Sequence, residues 1–257
     1  MAKKSQVPKP PRNVQAPKRR DTPRARTNPL AGVPMWGWAA GGGAVLIAVI
    51  VVVVVLATGG TGKSVATSPI TGLGPLATRP GGPKGPEGVA IPAGAALAPA
   101  GWLTLGETRD GINCEPIESL AYHIHVHLTI YVNGVARRVP YGIGIAPPRT
   151  VSPTPQGGFV TNGSCFAWLH THANDGVIHI ESPKAKTYTL GDFFDIWGVQ
   201  LQPSILGPVR GHITTFYNGS LYKGNPRDLP LNKHAQIQLD VGKPLIAPQK
   251  ITFPAGL

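Results

Sequence analysis

The sequence predicts a mainly β, α+β domain with one short helix, carried behind an N-terminal membrane-spanning helix. Three observations carry this. Apolar and polar residues alternate through several segments of the C-terminal half, as strands with one buried face require. Asn-Gly, the pair best suited to a two-residue type I′ hairpin turn, occurs twice between such segments, at 133–134 and 218–219. Only LGDFFDIW, residues 190–197, has the spacing of a short amphipathic helix.

Taken in order, residues 1–35 hold nine Lys and Arg against a single acid, Asp21, and are interrupted by Pro8, Pro10, Pro11, Pro17 and Pro23. Such a stretch has too little apolar content to pack and is expected to be a disordered tail. Most of the formal charge of +12 sits here rather than on the folded part. A nucleic-acid footprint is therefore not expected. Beside a membrane each basic residue instead adds about 1 kcal/mol of attraction to anionic lipid headgroups.

Residues 36–57 read WGWAAGGGAVLIAVIVVVVVLA and carry no charge. At about 1.5 Å per residue they are long enough to cross a hydrocarbon core of about 30 Å. Trp36 and Trp38 suit the headgroup layer, and the positive flank predicts a cytoplasmic N-terminus. The apolar run exceeds the ~7–15 residues of a cleaved signal peptide, so an uncleaved single-pass signal anchor at the cell membrane is expected, with the C-terminal domain extracytoplasmic. Residues 58–106, where Gly and Pro recur too often for helix or central strand, are expected to be a linker. The folded domain is then expected at 107–251.

Within it, His123–Val132 alternates Ile124, Val126, Leu128, Ile130 and Val132 with His123, His125, His127, Thr129 and Tyr131, and Val135–Tyr141 is expected to return as its hairpin partner. Phe166–His172 and Val177–Glu181 are expected as a second strand pair. After the helix come strands at 213–217, 221–223 and 235–241. This later half, a helix followed by a hairpin and a last strand, resembles that of a β-grasp domain. HLTIYVNG (127–134) and HITTFYNG (212–219) repeat one pattern, which the shared hairpin chemistry explains.

Cys114 and Cys165 are the only cysteines, and outside the membrane they are expected to form a disulfide worth about 4 kcal/mol on chain-entropy grounds.

Six of the eight histidines fall in two dense groups. His123, His125 and His127 project from one strand face with neighbours ~6.5–7 Å apart. In the second group, a turn at 174–175 sets His170 opposite His179, and a turn at 175–176 sets His172 opposite His179 and His170 opposite Glu181. Either register gathers His170, His172, His179 and Glu181 on one side. Neutral imidazole binds zinc and copper well, and these six histidines are the candidate metal ligands. Glu181 is the candidate ligand, ligand-orienting group or general base. The competing reading is a solvated face of amphipathic strands, and it is the one adopted for His212 and His234.

HTHAND (170–175) departs from the HxHxDH of metallo-β-lactamase-type hydrolases, because Asp175 comes one place late and the final His is missing. No HExxH, GxSxG or phosphate-binding loop occurs. YHIHVHLTIYVNG (122–134), LHTHANDGVIHIESP (169–183) and TLGDFFDIWG (189–198) together resemble a family of uncharacterised bacterial membrane-anchored proteins with YHIHxHLxIxVNG, LHTH with GxIHIESP, and TLGxFFDxWG. The resemblance implies a membrane anchor and no particular activity. The family pattern has Asp directly after HTH where this chain has Ala173.

The sequence thus predicts an extracytoplasmic domain that binds a zinc or copper ion through histidines. Two alternatives stand beside it. One is a metal-dependent enzyme with Glu181 as base, which needs a pocket beside the histidines. The other is an envelope interaction module using Trp168, Trp197 and Tyr131 as surface contacts and histidines as pH sensors, its protein partner unspecified.

Overall fold

The computed structural model describes residues 62–78, 81–248 and 250–257. The expected tail (1–35) and spanning helix (36–57) lie outside the described residues. Among the described residues no helix is long and apolar enough to cross a membrane. The fold is mainly β, and the expected helix forms at its expected bounds, Leu190–Trp197 (α1).

The main sheet has seven strands: β1 (Tyr122–Val132), β2 (Val135–Arg137), β3 (Leu169–His170), β4 (Val177–Ser182), β5 (Ile213–Tyr217), β6 (Ser220–Tyr222) and β7 (Gln236–Val241). Its order is β6-β5-β7-β1-β4-β3, with β2 pairing the far end of β1. The first and last strands, β1 and β7, run parallel at the centre, and every other pairing is antiparallel. Both Asn-Gly turns close as the sequence demands. Asn133 and Gly134 have φ of 51° and 75°, and Asn218 and Gly219 have 51° and 84°, the left-handed values of a type I′ turn. β2 stops at Arg137 rather than at Tyr141, because Arg138 leaves the sheet to pair with the 95–97 backbone.

The cap of α1 explains where the helix begins. Thr189 Oγ1 accepts from the Asp192 N–H while Asp192 Oδ2 accepts from the Thr189 N–H, and Gly198 at φ 72° ends it. Its Phe193, Phe194 and Trp197 join Ile124, Val126, Leu128 and Ile130 of β1 and Ile178 and Ile180 of β4 in one apolar core. Beside this core the short strands Ile112–Glu115 and Phe166–Ala167 pair, and the Cys114–Cys165 disulfide links the two segments.

One expectation needs correction, and one competing reading fails. The described residues between 62 and 106 do not hang free as a linker. Val89, Ile91, Leu97 and Leu103 are buried, Leu97 N–H donates to Arg138 O, Gly144 N–H to Gly101 O, and the Trp197 indole to Pro99 O. Gly and Pro exclude regular structure but not packing, and this backbone satisfies itself on the edges of other elements. The solvated-face reading of β1 also fails: His125, His127, Thr129 and Tyr131 are each 5% exposed or less.

Candidate metal centre

The sheet register assembles the histidines. His125 of β1, His179 of β4 and His170 of β3 lie directly opposite one another across three strands, and His123 lies opposite Glu181 in the next row. The pairing of His170 with His179 is the first of the two expected registers, but the tight turn at 174–175 does not form. Residues 171–176 are a loop, because their backbone is engaged elsewhere: Thr171 N–H donates to Ile143 O, Val160 N–H to His172 O, and Leu128 N–H to Gly176 O. Gly176, at φ 86°, lets this loop approach Leu128 so closely that a β-carbon would strike the Leu128 carbonyl.

The two histidine groups meet. Nε2 of His125 is 3.2 Å from Nδ1 of His179, and Nε2 of His123 is 3.0 Å from Nε2 of His125. On the other side, Nε2 of His170 and Nε2 of His172 are 3.0 Å apart. Ligand atoms of His170, His172, His179 and Glu181 all lie within 4.8 Å of one another, as do those of His123, His125 and His179. All of these residues but His123 are buried, and the two groups could each hold a metal ion.

Backbone carbonyls fix two of the rings. His170 Nδ1 is 2.8 Å from Ala167 O and His172 Nδ1 is 2.6 Å from Val160 O. A carbonyl only accepts, so each Nδ1 carries a proton and each ring turns its Nε2 toward the other. Burial, reinforced by the charges of His172 and His179, holds His170 well below the ordinary imidazole range. Burial and the neighbouring His179 and His123 likewise push His125 down to about 3. Both are kept in the neutral form that binds metals.

Three carboxylates complete the surroundings. Glu181 Oε1 lies 3.0 Å from His123 Nε2 and 3.3 Å from His179 Nδ1, while its Oε2 is 3.9 Å from His170 Nε2. Glu118, from the loop before β1, places Oε1 3.3 Å from His172 Nε2, and the hydrogen bond with His172 lowers its pKa against the opposing effect of burial. Glu87, from the supposed linker, accepts from His179 Nε2 at 2.6 Å. Burial disfavours a charged His179, but hydrogen bonds to Glu181 and Glu87 outweigh it and raise its pKa to about 9. Asp175 is pushed up to about 8 by burial and by Glu87 beside it. In its protonated form Asp175 can donate to the neighbouring Glu87.

Glu87 and Glu118 were not among the sequence candidates. One signal existed for the first: Glu87 is the only acid between residues 58 and 106. His127 is a candidate ligand that the structure directs elsewhere. Its Nε2 donates to Asp175 O at 2.9 Å and its Nδ1 accepts from the Thr129 hydroxyl at 3.3 Å, so it braces the 171–176 loop. Trp197 and Tyr131 are buried and do not form a contact surface, and Trp168 is half-buried. His212 is exposed, and His234 stacks on Phe253 while donating to Leu257 O. Cavities of about 440 and 470 Å³ are lined by residues such as Pro203, His212 and Tyr222 or Ser64 and Tyr222, and by none of the six converging or candidate histidines.

Comparison with protein-family models, with curated proteins and with solved structures finds no match to this chain. Functional inference therefore rests on the side chains themselves.

Proposed function

We propose that this chain is a membrane-anchored, extracytoplasmic protein that binds a transition-metal ion where its two histidine groups converge. The observation that carries this reading is the convergence of His170, His172, His179 and Glu181, all buried and with ligand atoms within 4.8 Å of one another. Buried donors gathered this closely are costly unless a cation joins them. Burial keeps His170 in the neutral form that a metal ion binds. Imidazole nitrogens with carboxylate oxygens suit zinc or copper. Glu181 acts as a ligand, because both of its oxygens face imidazole nitrogens.

The frame is β-grasp-like: β1 and β7 parallel at the centre, an antiparallel partner on either flank and α1 between the two halves support it. Residues 36–57 anchor the chain, with the basic tail on the cytoplasmic side beside anionic headgroups. A disulfide suits the oxidising space outside that membrane.

One preparation tests both halves. The full-length chain is expected in the membrane fraction, and after zinc or copper loading and a chelator wash it is expected to retain metal. The variant His170→Ala plus His172→Ala is expected to retain no more than half of the wild-type amount. Absence from membranes overturns the anchor, and a wild-type chain that keeps no metal overturns the binding site.

A further inference from the structure

Resting on that reading, we infer that the cluster is a two-ion centre in which the Glu181 carboxylate bridges the ions. The first set of donors is His123 Nε2, His125 Nε2, His179 Nδ1 and Glu181 Oε1. Taken in a ring, their neighbouring separations are 3.0, 3.2, 3.3 and 3.0 Å. A tetrahedral zinc ion with bonds of about 2.0–2.1 Å has ligand–ligand edges of about 3.3 Å. Four donors already stand close to that spacing.

The second set lies on the other side of Glu181. His170 Nε2 and His172 Nε2 are 3.0 Å apart, and Glu118 Oε1 is 3.3 Å from His172 Nε2 and 3.9 Å from His170 Nε2. The fourth donor is Glu181 Oε2, 3.9 Å from His170 Nε2, a buried oxygen with no hydrogen-bond donor. The two oxygens of one carboxylate are thus addressed to different sets, as in centres whose metal ions stand about 3.5–4 Å apart.

His179 stands between the two sets. Its Nδ1 faces His125 and Glu181 and its Nε2 is taken by Glu87 at 2.6 Å, while the residue also lies with the His170, His172 and Glu181 donors. That carboxylate–imidazole pair is the usual device for orienting a histidine ligand and raising its basicity. Access is from one edge, where the side chains of His123 and Glu118 are 35% and 32% exposed.

Metal counting and electron paramagnetic resonance on the full-length chain test this. Zinc titration followed by removal of free ion is expected to leave two equivalents per chain. The copper(II)-loaded chain is expected to show a spin-coupled pair, with signal intensity well below that of two isolated ions. His123→Ala plus His125→Ala, and separately His170→Ala plus His172→Ala, are each expected to leave one ion with an uncoupled signal. A single wild-type equivalent, or two equivalents without coupling, overturns the bridged pair while the metal-binding reading stands. No retained metal in the wild type overturns both. The wild-type count and spectrum need no variant to fold.

Discussion

Along β1, Ile124, Val126, Leu128 and Ile130 close one face of the sheet against α1, while His125, His127 and Thr129 close the other beneath the 82–91 segment and the 171–176 loop. The two faces are similarly dry and are held by different physics. The apolar side gains from every methylene removed from water, without direction and without dependence on pH. On the polar side each buried nitrogen and oxygen must find a specific partner, and one that does not costs about 1–3 kcal/mol. A strand can therefore specify a fold with its even positions and a chemical site with its odd ones. The second task demands partners from distant parts of the chain.

The apolar face is where the largest effect is expected. Phe194 is fully buried, with its ring 5.3 Å from that of Trp197 and 6.0 Å from that of Phe193. Phe194→Ala is expected to lower stability by about 3–5 kcal/mol, read as a shift of the denaturant midpoint at constant slope. The shift is expected to be equal with metal and with chelator present. A loss that depends on metal would mean that the two faces are coupled through the sheet rather than separable.

The same contrast explains what was legible in the sequence. Period-two alternation marks an apolar face wherever it occurs, so β1, β5, β7 and α1 are found within a residue of their expected bounds. The odd positions of β1 were legible as one face, and His170 opposite His179 as one register. That the histidine face is buried was not legible. Glu87 of the 82–91 segment meets His179, Phe159 and Val160 of the Thr150–Asn162 hairpin meet His172, and neither segment has a hydrophobic period. Glu87 acts across 92 residues of chain, and nothing local to His179 announces it. His127 shares the face and the spacing of His125, yet a loop carbonyl takes its nitrogen. Spacing assigns a face, and only the surrounding backbone assigns a role.

An intermediate effect is expected at Glu87, which separates folding from binding on the polar face. Glu87→Gln leaves an acceptor for His179 Nε2 but removes the charge. Metal affinity is expected to fall about 10- to 100-fold, measured by competition with a chromophoric chelator, while stability in excess chelator changes by less than about 1 kcal/mol. The result that overturns this account is an unchanged affinity with a large loss of stability, since Glu87 would then be a latch for the 82–91 segment rather than a support for the ligand.

The smallest effect distinguishes the two halves of the polar face itself. Beyond the histidines that face continues through Gln238 and Asp240 of β7, where Asp240 Oδ2 accepts from Ile246 N–H at 2.7 Å and Oδ1 from Gln238 at 3.0 Å. Burial raises Asp240 to about 6 despite those two hydrogen bonds. The native state therefore binds this proton more tightly than the unfolded chain, whose carboxyl titrates near its ordinary value of 3.8. The group's contribution is fully present below about pH 4 and is lost as pH rises toward about 6. Asp240→Asn cannot titrate, and its amide nitrogen turns toward a donor, so the variant is expected to be less stable throughout. The gap between the two proteins, however, should narrow by on the order of 1–2 kcal/mol from pH 4 to pH 6, because the wild type loses stability there and the variant does not. Metal should leave this narrowing unchanged, since Asp240 lies outside both groups of converging ligand atoms. A gap that widens with pH would show that Asp240 is stabilised as the carboxylate, and that this half of the polar face, like the other, is organised around charge.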